Sequence, residues 1–196
     1  MPEDTQLSDS DGVFLVKAAR MAVTEFLSNG KRMKLEPEHE KRFSFNSGVF
    51  VTLNNTDGLR GCIGFPMPDK KLSHGIIDAA IAAATEDPRF SPVKINELNE
   101  IVFEVTVLTP PVEITVTDPM EYLEKIKVGR DGLIIRNSFS SGLLLPQVPV
   151  EYGWNVEEFL QHTCEKAGLE KDTWKNEKVK IEKFEGIVYK EGTNGS

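Results

Sequence analysis

The sequence predicts an α+β fold, a mainly antiparallel sheet with flanking helices. Long segments repeat apolar residues with the period of a helix, and shorter segments between them alternate apolar and polar residues as strands do. The alternating segments lie close together in the chain, which favours antiparallel pairing over the long crossovers that parallel strands require. With 39% hydrophobic residues among 196, the chain has enough apolar side chains for a real core.

The predicted helices begin and end at residues typical of helix termini. Gly30 suits the left-handed cap after the first helix, Asp87-Pro88 stops the second, and Asn155 caps the last. The charged segment 31–41 and the proline-containing segment 146–153 are predicted loops. The helices are predicted over residues 9–29, 73–85, 118–127 and 155–167.

The predicted strands show the two-residue period of a half-buried sheet. Residues 101–108 alternate most strongly, and we expect them to form a hairpin with residues 112–117 through the turn at Pro110-Pro111. A second pair of strands is joined by the turn 138–141. The strands are predicted over residues 43–45, 49–53, 101–108, 112–117, 133–137, 142–145 and 179–189, with the run 59–64 also extended.

The domain organisation predicted is a single domain over residues 9–190, with a soft subdomain boundary near 118–130. Residues 1–8 are expected to be disordered and residues 191–196 to form a flexible tail. No apolar run approaches the ~18 residues of a membrane-spanning helix. The acidic start lacks the basic and apolar segments of a secretory signal, so a cytoplasmic location is expected.

Charge and cysteine content argue against several function classes. The net charge of −8 speaks against nucleic acid as a partner, because duplex binding requires a basic surface. Cys62 and Cys164 lie far apart and form neither a CxxC pair nor a disulfide framework. The histidines show no HExxH and no clustered Cys/His spacing, so we expect no metal site and no cofactor.

The run 59–64, Leu-Arg-Gly-Cys-Ile-Gly, is the candidate functional site. In an extended run Arg60 and Cys62 share one face, and a guanidinium near a thiol favours the reactive thiolate. Gly61 and Gly64 allow a tight turn or a close backbone approach. The alternative is that Cys62 is a buried small apolar residue and Arg60 a structural ion-pairing residue. Cys164 falls on the apolar face of the last helix and is expected in the core.

The chain resembles the AMMECR domain family, which includes the prokaryotic AmmeMemoRadiSam-type proteins A. The resemblance covers nearly the whole chain and implies a larger and a smaller subdomain packed as one unit, with the run 59–64 near the groove between them. It also implies an association with Memo-like and radical-SAM proteins, often encoded beside family members in prokaryotes, and it implies no settled activity. Besides the run 59–64, the blocks that carry it are Gly48–Leu53, Asp87–Phe90, Val107–Pro111, Leu144–Val148 and Trp154–Gly168.

Two of these blocks add candidate residues. Arg89 either meets a negative group of a substrate or pairs with a local carboxylate such as Glu86. Gln147 either donates to a ligand or satisfies backbone groups of a loop that packs inward. A His74–Cys62 dyad requires His74 to fold back toward the run 59–64. The candidate catalytic residues are Cys62 and Arg60, and the candidate ligand-binding residues are Gly61, Gly64, Arg89 and Gln147.

Two functions of different class remain open. The first is an enzyme that acts on a small anionic substrate, with Cys62 as nucleophile or general acid/base and Arg89 holding a negative group. The second is a non-catalytic binding or adaptor module for a peptide, a protein or a nucleic-acid segment, with Arg60 and Arg89 as anchors. The expected partner is an unidentified small molecule or protein, and no membrane association is expected.

Overall fold

A computed structural model of the protein describes residues 6–176 and 179–192. The contacts divide the chain into two compact units. Residues 109–186 form the second unit, and the described residues before and after them form the first unit. Residues 1–5 and 193–196, for which disorder and a flexible tail are predicted, lie outside the described ranges. Within those ranges, no helix is long and apolar enough to cross a membrane.

The first unit contains an antiparallel sheet of β1 (Val49–Asn55), β2 (Gly58–Phe65) and β3 (Val102–Leu108) in the order β2-β1-β3. The last strand, β7 (Lys180–Lys190), enters this unit at residue 187 and lies next to β3. Beyond its end, the backbone N–H of Glu191 donates to the carbonyl oxygen of Phe103 over 3.0 Å. β2 is therefore the edge strand of this sheet.

Helices cover one face of this sheet, namely α1 (Asp9–Asn29) and α3 (Leu72–Thr85). α3 is rich in buried alanines, and these small side chains allow its backbone to approach the sheet closely. The short helix α2 (Pro37–Arg42) precedes β1, and a 3-10 helix at Ile95–Asn99 precedes β3. The core between helices and sheet includes the fully buried side chains of Leu15, Ala19, Val51, Leu53, Ile76, Ala80, Phe103 and Val105.

The second unit pairs β5 (Asp131–Arg136) with β6 (Ser141–Leu144) on one side and with β7 on the other, all antiparallel. The two-residue strand β4 (Val112–Glu113) pairs with the far side of β7. The helices are α4 (Tyr122–Lys125), α5 (Gln147–Tyr152) and α6 (Val156–Lys166), with 3-10 helices at Pro119–Glu121 and Lys171–Lys175. The core includes Leu133, Ile135, Phe159, Leu160, Cys164, Trp174 and Ile181.

The structure confirms the predicted fold class and the bounds of α1. The side chain of Ser8 accepts a hydrogen bond from the N–H of Asp11, and the Asp11 carboxylate accepts one from the N–H of Ser8, which satisfies donors at the start of the helix. Gly30 ends it with φ 71° and donates to the carbonyl of Phe26. The apolar period and Gly30 made the helix readable from the sequence, whereas Ser8, its N-terminal cap, was counted with the segment expected to be disordered.

The predicted loop 31–41 holds for residues 31–36 but not beyond them, because residues 37–42 form α2, and the predicted strand 43–45 is wrong. Pro37 starts α2 at a position where the missing N–H costs nothing, and acidic residues in its first turn favour the helix dipole. Phe43 ends this helix, and its carbonyl accepts a hydrogen bond from Ser73 N–H over 2.9 Å. The backbone at 43–45 therefore serves the start of α3 rather than a sheet.

The predicted hairpin between residues 101–108 and 112–117 does not form. β3 pairs with β1, and β4 pairs with β7 through Val112 opposite Lys183. Pro110 and Pro111 have no N–H to donate across a tight turn, and residues 109–111 lie in neither a strand nor a turn.

The predicted loop 146–153 is also wrong, because residues 147–152 form α5. Pro146 occupies the N-cap position and Pro149 lies in the first turn, where backbone N–H groups have no partner within the helix. The prolines therefore mark the start of a helix rather than its absence. Gly153 ends it with φ 68°.

Candidate functional site

Cys62 lies on β2 directly opposite Thr52 of β1. The preceding residue, Gly61, faces Ala83 of α3, so the alternation of the strand directs Cys62 to the sheet face away from the helices. The thiol is half-buried, and Thr52 Oγ1 donates a hydrogen bond to Cys62 Sγ over 3.3 Å. The sequence therefore supplies a thiol that is held in place and still partly accessible.

The backbone of Cys62 is held by Asp87 and Arg89. Its N–H donates to Asp87 Oδ2 over 2.8 Å, and its carbonyl oxygen accepts a longer hydrogen bond from Arg89 Nη2 at 3.4 Å. These backbone groups belong to an edge strand, where a further strand would normally pair with them. A carboxylate and a guanidinium take the place of that strand and close the edge at the candidate thiol.

Asp87 and Arg89 form a closely bonded ion pair. Arg89 Nη2 lies 2.7 Å from Asp87 Oδ2 and Arg89 Nε lies 3.0 Å from Asp87 Oδ1, a two-point contact. The Asp87 side chain is only 3% exposed, whereas that of Arg89 is 55% exposed. Hydrogen bonding by Arg89 holds the pKa of Asp87 well below its usual range, and the Asp87 carboxylate raises the pKa of Arg89. Of the two predicted roles for Arg89, the pairing with a local carboxylate is present, with Asp87 rather than Glu86.

Arg60 is held by a different carboxylate. Its Nε donates to Glu97 Oε2 over 2.9 Å, and its Nη1 donates to the carbonyl oxygen of Ser91 over 3.0 Å. The hydrogen bonds from Arg60 lower the pKa of Glu97. The pairing register shifts between Leu53 and Asn54, which leaves Arg60 as an extra residue without a cross-strand partner. The structural ion-pairing role is thus present, and a direct effect of Arg60 on the Cys62 thiol stays a prediction.

Gly61 and Gly64 are explained by close packing. A Cβ atom on Gly61 would lie 2.2 Å from the carbonyl oxygen of Ala83, a backbone atom that cannot move aside. A Cβ atom on Gly64 would lie 2.3 Å from the ring of Phe50. The predicted close backbone approach is confirmed for both glycines, while contact of either with a ligand stays a prediction.

A third side chain, the carboxylate of Glu104 on β3, lies in a row with Cys62 and Thr52 across the sheet. Glu104 of β3 lies directly opposite Thr52, on the side away from Cys62. Directly opposite residues of an antiparallel pair point to the same face, with Cβ atoms about 5 Å apart. Cys62, Thr52 and Glu104 therefore stand in one row across the face, and Glu104 is half-buried.

Sequence reasoning missed Thr52, Asp87 and Glu104. Thr52 and Glu104 fell on polar positions of predicted strands, but only the register shows that they stand beside Cys62. Asp87 was interpreted only as a residue that ends α3. The Asp-x-Arg spacing of residues 87–89 was the available signal, since it permits a two-point ion pair.

The remaining candidates lie elsewhere. Gln147 is the first residue of α5 in the second unit. His74 Nε2 lies 3.4 Å from Glu40 Oε1, so the partner that the structure gives it is a carboxylate. Cys164 is fully buried in the core of the second unit, as predicted, and burial raises the pKa of its thiol to about 11. In the described ranges, no group of three or more His, Cys, Asp and Glu side chains is arranged to hold a metal ion.

Comparisons with known proteins agree with this fold. The AMMECR1 family model matches residues 16–189. A protein from Methanocaldococcus jannaschii is 51% identical over 187 residues, which cover 94% of this chain and 92% of that protein. A protein from Pyrococcus abyssi is 48% identical over 191 residues, 95% of this chain and 93% of that protein. The crystal structure of the uncharacterised protein PH0010 from Pyrococcus horikoshii matches with a TM-score of 0.77 at 49% sequence identity, covering 95% of this chain and 94% of that chain. The chain therefore belongs to the AMMECR1 family.

Proposed function

We propose that this chain is an enzyme that acts on a small anionic substrate through the Cys62 thiol. The observation that carries the proposal is the hydrogen bond from Thr52 Oγ1 to Cys62 Sγ at 3.3 Å, on a face where the thiol is only half-buried. A hydroxyl that donates to sulfur supports negative charge on it, and the charged sulfur is the nucleophile. The other cysteine, Cys164, is enclosed in a core and has no such use.

Glu104 is the acid/base group in this proposal. Thr52 stands between Cys62 and Glu104 in the row, and the proposal requires its hydroxyl to turn from Sγ toward the Glu104 carboxylate when it passes on the thiol proton. The sulfur then attacks an electrophilic carbon of the substrate and forms a sulfur–carbon bond. The leaving group departs with its electron pair and takes the proton back from Glu104.

Arg89 is the anchor for the negative group of the substrate. Its guanidinium is fixed by Asp87 and lies against the Cys62 carbonyl, yet 55% of its side chain is exposed. A cation held in one orientation loses little freedom when an anion binds, which favours binding.

Alkylation with two reagents tests the thiol and the anchor together. Iodoacetate carries a negative charge and iodoacetamide does not, while both displace iodide in the same way. We expect the iodoacetate-to-iodoacetamide rate ratio at Cys62, measured by mass spectrometry, to be about tenfold higher in the native than in the urea-unfolded protein. Arg89→Gln should lower the native ratio to the unfolded value.

Arg130→Gln is the matched control, because Arg130 also pairs with an aspartate close to it in the chain, Asp131, but in the second unit. It should leave the ratio at Cys62 unchanged. An iodoacetate-to-iodoacetamide rate ratio that is the same in the native and the unfolded protein would contradict an anionic substrate. If Cys62 reacts with both reagents more slowly in the native than in the unfolded protein, its proposed role as an enzymatic nucleophile is contradicted.

Substitutions in the row Cys62, Thr52 and Glu104 test the role proposed for each side chain. Thr52→Val keeps the shape of the side chain but removes its hydroxyl, so it should lower the rate at which iodoacetamide alkylates Cys62 by about fivefold. Thr52→Ser keeps a hydroxyl and should restore that rate. Glu104→Gln removes the proposed acceptor of the thiol proton and should lower the rate of alkylation at Cys62. Thr106→Val is the control, since Thr106 lies opposite Phe50 on the same face, two residues along the strand from Glu104. If Thr52→Val and Thr106→Val behave alike, the hydroxyl has no role at the thiol.

A non-catalytic binding module is the second candidate function. The observation that favours it is the pairing of both arginines with carboxylates, since Arg60 with Glu97 and Arg89 with Asp87 form a rigid, preformed surface. Capture by Memo-like and radical-SAM proteins, the partners that the family association suggests, separates the two candidates. A binding module should retain capture in Cys62→Ala and lose it in Arg89→Gln. An enzyme should lose turnover in Cys62→Ala and still bind its substrate.

A further inference from the structure

The dipeptide Asp-Gly occurs three times in the chain, at residues 11–12, 57–58 and 131–132. A glycine has no side chain to shield its backbone nitrogen, so the carboxyl group of a preceding aspartate can reach that nitrogen with little steric hindrance. Whether the two groups react depends on the freedom that the fold leaves to the carboxyl group and to the backbone around it. The three Asp-Gly dipeptides differ in both respects.

The first Asp-Gly is fixed at the start of α1. The Asp11 carboxylate accepts hydrogen bonds from Ser8 N–H over 2.8 Å and from Arg42 Nη2 over 2.7 Å, and its side chain is 14% exposed. The N–H of Gly12 donates to the carbonyl oxygen of Ser8 over 3.1 Å. Gly12 is buried, and a Cβ atom there would lie 1.9 Å from the ring of Tyr189. Both partners of a reaction are therefore held in place.

The third Asp-Gly is fixed inside the sheet of the second unit. The Asp131 side chain is 0% exposed, and its carboxylate accepts hydrogen bonds from Lys127 N–H over 2.9 Å and from Arg130 Nη2 over 2.8 Å. Gly132 pairs with Phe184 of β7, and a Cβ atom on this glycine would lie 2.3 Å from the phenylalanine ring. Neither the carboxylate nor the glycine backbone can move without breaking these contacts.

The second Asp-Gly lies in the open turn between β1 and β2. Thr56, Asp57 and Gly58 are all exposed. The backbone N–H of Asp57 donates to Asn55 Oδ1 over 2.9 Å, but its carboxylate has no hydrogen bond or ion pair within the described ranges. A Cβ atom on Gly58 would have no atom within 4 Å. Of the three dipeptides, this one alone combines an unbound carboxylate with a glycine in open surroundings.

We propose that Asp57-Gly58 is a site of isoaspartate formation, the spontaneous modification that moves the main chain of an aspartate onto its side-chain carboxyl carbon. The backbone nitrogen of Gly58 forms a bond to Asp57 Cγ, and the carboxyl hydroxyl leaves with the amide hydrogen as water. The product is a five-membered succinimide ring. A water molecule then opens the ring by cleaving the bond between the Asp57 carbonyl carbon and the Gly58 nitrogen.

The net reaction is a rearrangement, because one water molecule leaves and one returns and no group is oxidised or reduced. The main chain of the turn becomes longer by one carbon atom, and the former carbonyl group of Asp57 becomes a free carboxylate. The site is separate from Cys62 and does not depend on the function proposed for that thiol.

Peptide mapping of the aged full-length protein tests the proposal. The protein is kept at physiological temperature and neutral pH for several weeks and digested with trypsin. Isoaspartyl peptides are separated by chromatography and identified by electron-transfer fragmentation. The tryptic peptide 43–60 has Asp57 as its single aspartate. We expect the isoaspartyl fraction at Asp57 to exceed the fractions at Asp11 and Asp131 by about tenfold or more.

The unfolded protein and one variant are the controls. In guanidinium chloride the three dipeptides have the same local sequence and no fold to hold them, so their rates should agree within about threefold. Asp57→Glu keeps the charge but would need a six-membered ring, so the isoaspartyl form of peptide 43–60 should be absent.

Equal isoaspartyl fractions at all three dipeptides in the native protein would overturn the proposal, because the fold would then make no difference. An Asp57 that converts in guanidinium chloride and stays unmodified in the native protein would overturn it too, since the turn would then protect the aspartate. A rearranged form of peptide 43–60 in aged Asp57→Glu would show that another residue is modified and would also contradict the assignment.

Discussion

The backbone N–H of Cys62 donates to the buried carboxylate of Asp87 over 2.8 Å, although the two residues are 25 positions apart. This hydrogen bond joins the backbone at the candidate thiol, on the edge strand β2, to an ion pair that also includes Arg89. The geometry of the thiol and the stability of the first unit therefore depend on the same carboxylate.

Asp87→Asn should destabilise the protein by about 2–3 kcal/mol. The amide that replaces the carboxylate brings an NH2 group toward donors of Arg89 and Cys62, so at least one charge-assisted hydrogen bond is lost in a buried place. Urea unfolding followed by circular dichroism measures the change. Glu86→Gln, an exposed acidic neighbour, is the control and should stay within about 0.5 kcal/mol of wild type. Equal effects of the two substitutions would show that the bond is not stabilising.

The stability that the Asp87 carboxylate contributes to the folded protein should be lost in acid. Its pKa in the folded protein is held well below the usual range, chiefly by hydrogen bonding from Arg89. A carboxyl with a depressed folded-state pKa adds stability that is complete above its unfolded pKa of about 4 and is lost as pH falls toward the folded value. The stability difference between wild type and Asp87→Asn should therefore shrink between about pH 4 and pH 2. Urea midpoints at several pH values measure it, and a difference that stays constant down to pH 2 would contradict the prediction.

The two cysteines should differ strongly toward iodoacetamide at pH 8. Burial raises the pKa of Cys164 to about 11, so its thiol is both protonated and enclosed. We expect mass spectrometry to find Cys62 modified and Cys164 protected by about 100-fold or more until urea unfolds the second unit. Rapid modification of Cys164 in the native protein would mean that the second unit opens easily.

Gly61→Ala should cost about 3 kcal/mol, because its Cβ would meet the backbone carbonyl of Ala83 and α3 would have to move. Gly75→Ala is the comparison within the same unit. Its Cβ would come no closer than 3.0 Å to a single methyl group of Val49, and alanine is the better helix former. Its cost should be below about 1 kcal/mol, measured by thermal or urea unfolding. A loss for Gly61→Ala as small as the one expected for Gly75→Ala would show that the sheet and α3 tolerate the added atom.

The sequence predicted those parts of the fold in which local signals agreed. α1 carried an apolar period and a terminal glycine, and both of its ends are as predicted. α5 was missed because prolines usually break helices, and only their position in the first turn makes them acceptable here. The hairpin was assigned wrongly because strand partners are chosen by contacts between residues far apart in the chain.

The candidate site was predictable as a location but not as an arrangement. The run 59–64 indicated Cys62, and strict alternation placed Arg60 beside it. A register shift at Leu53, which no local pattern announces, makes Arg60 the extra residue of the strand, and its guanidinium pairs with Glu97. The role of Asp87 follows only from the fold, which brings its carboxylate to the backbone of Cys62.

The discontinuity of the first unit bears on the order in which a ribosome-bound chain can fold. Arg20 of α1 is held by Glu191, with Nη2 and Oε2 2.6 Å apart, and the same carboxylate oxygen accepts the N–H of Phe103 at 2.8 Å. These bonds form only after residues 109–186 have been translated. β1, β2 and β3 are translated before residue 109 and can pair early, whereas the first unit is completed only after the contiguous second unit has been made.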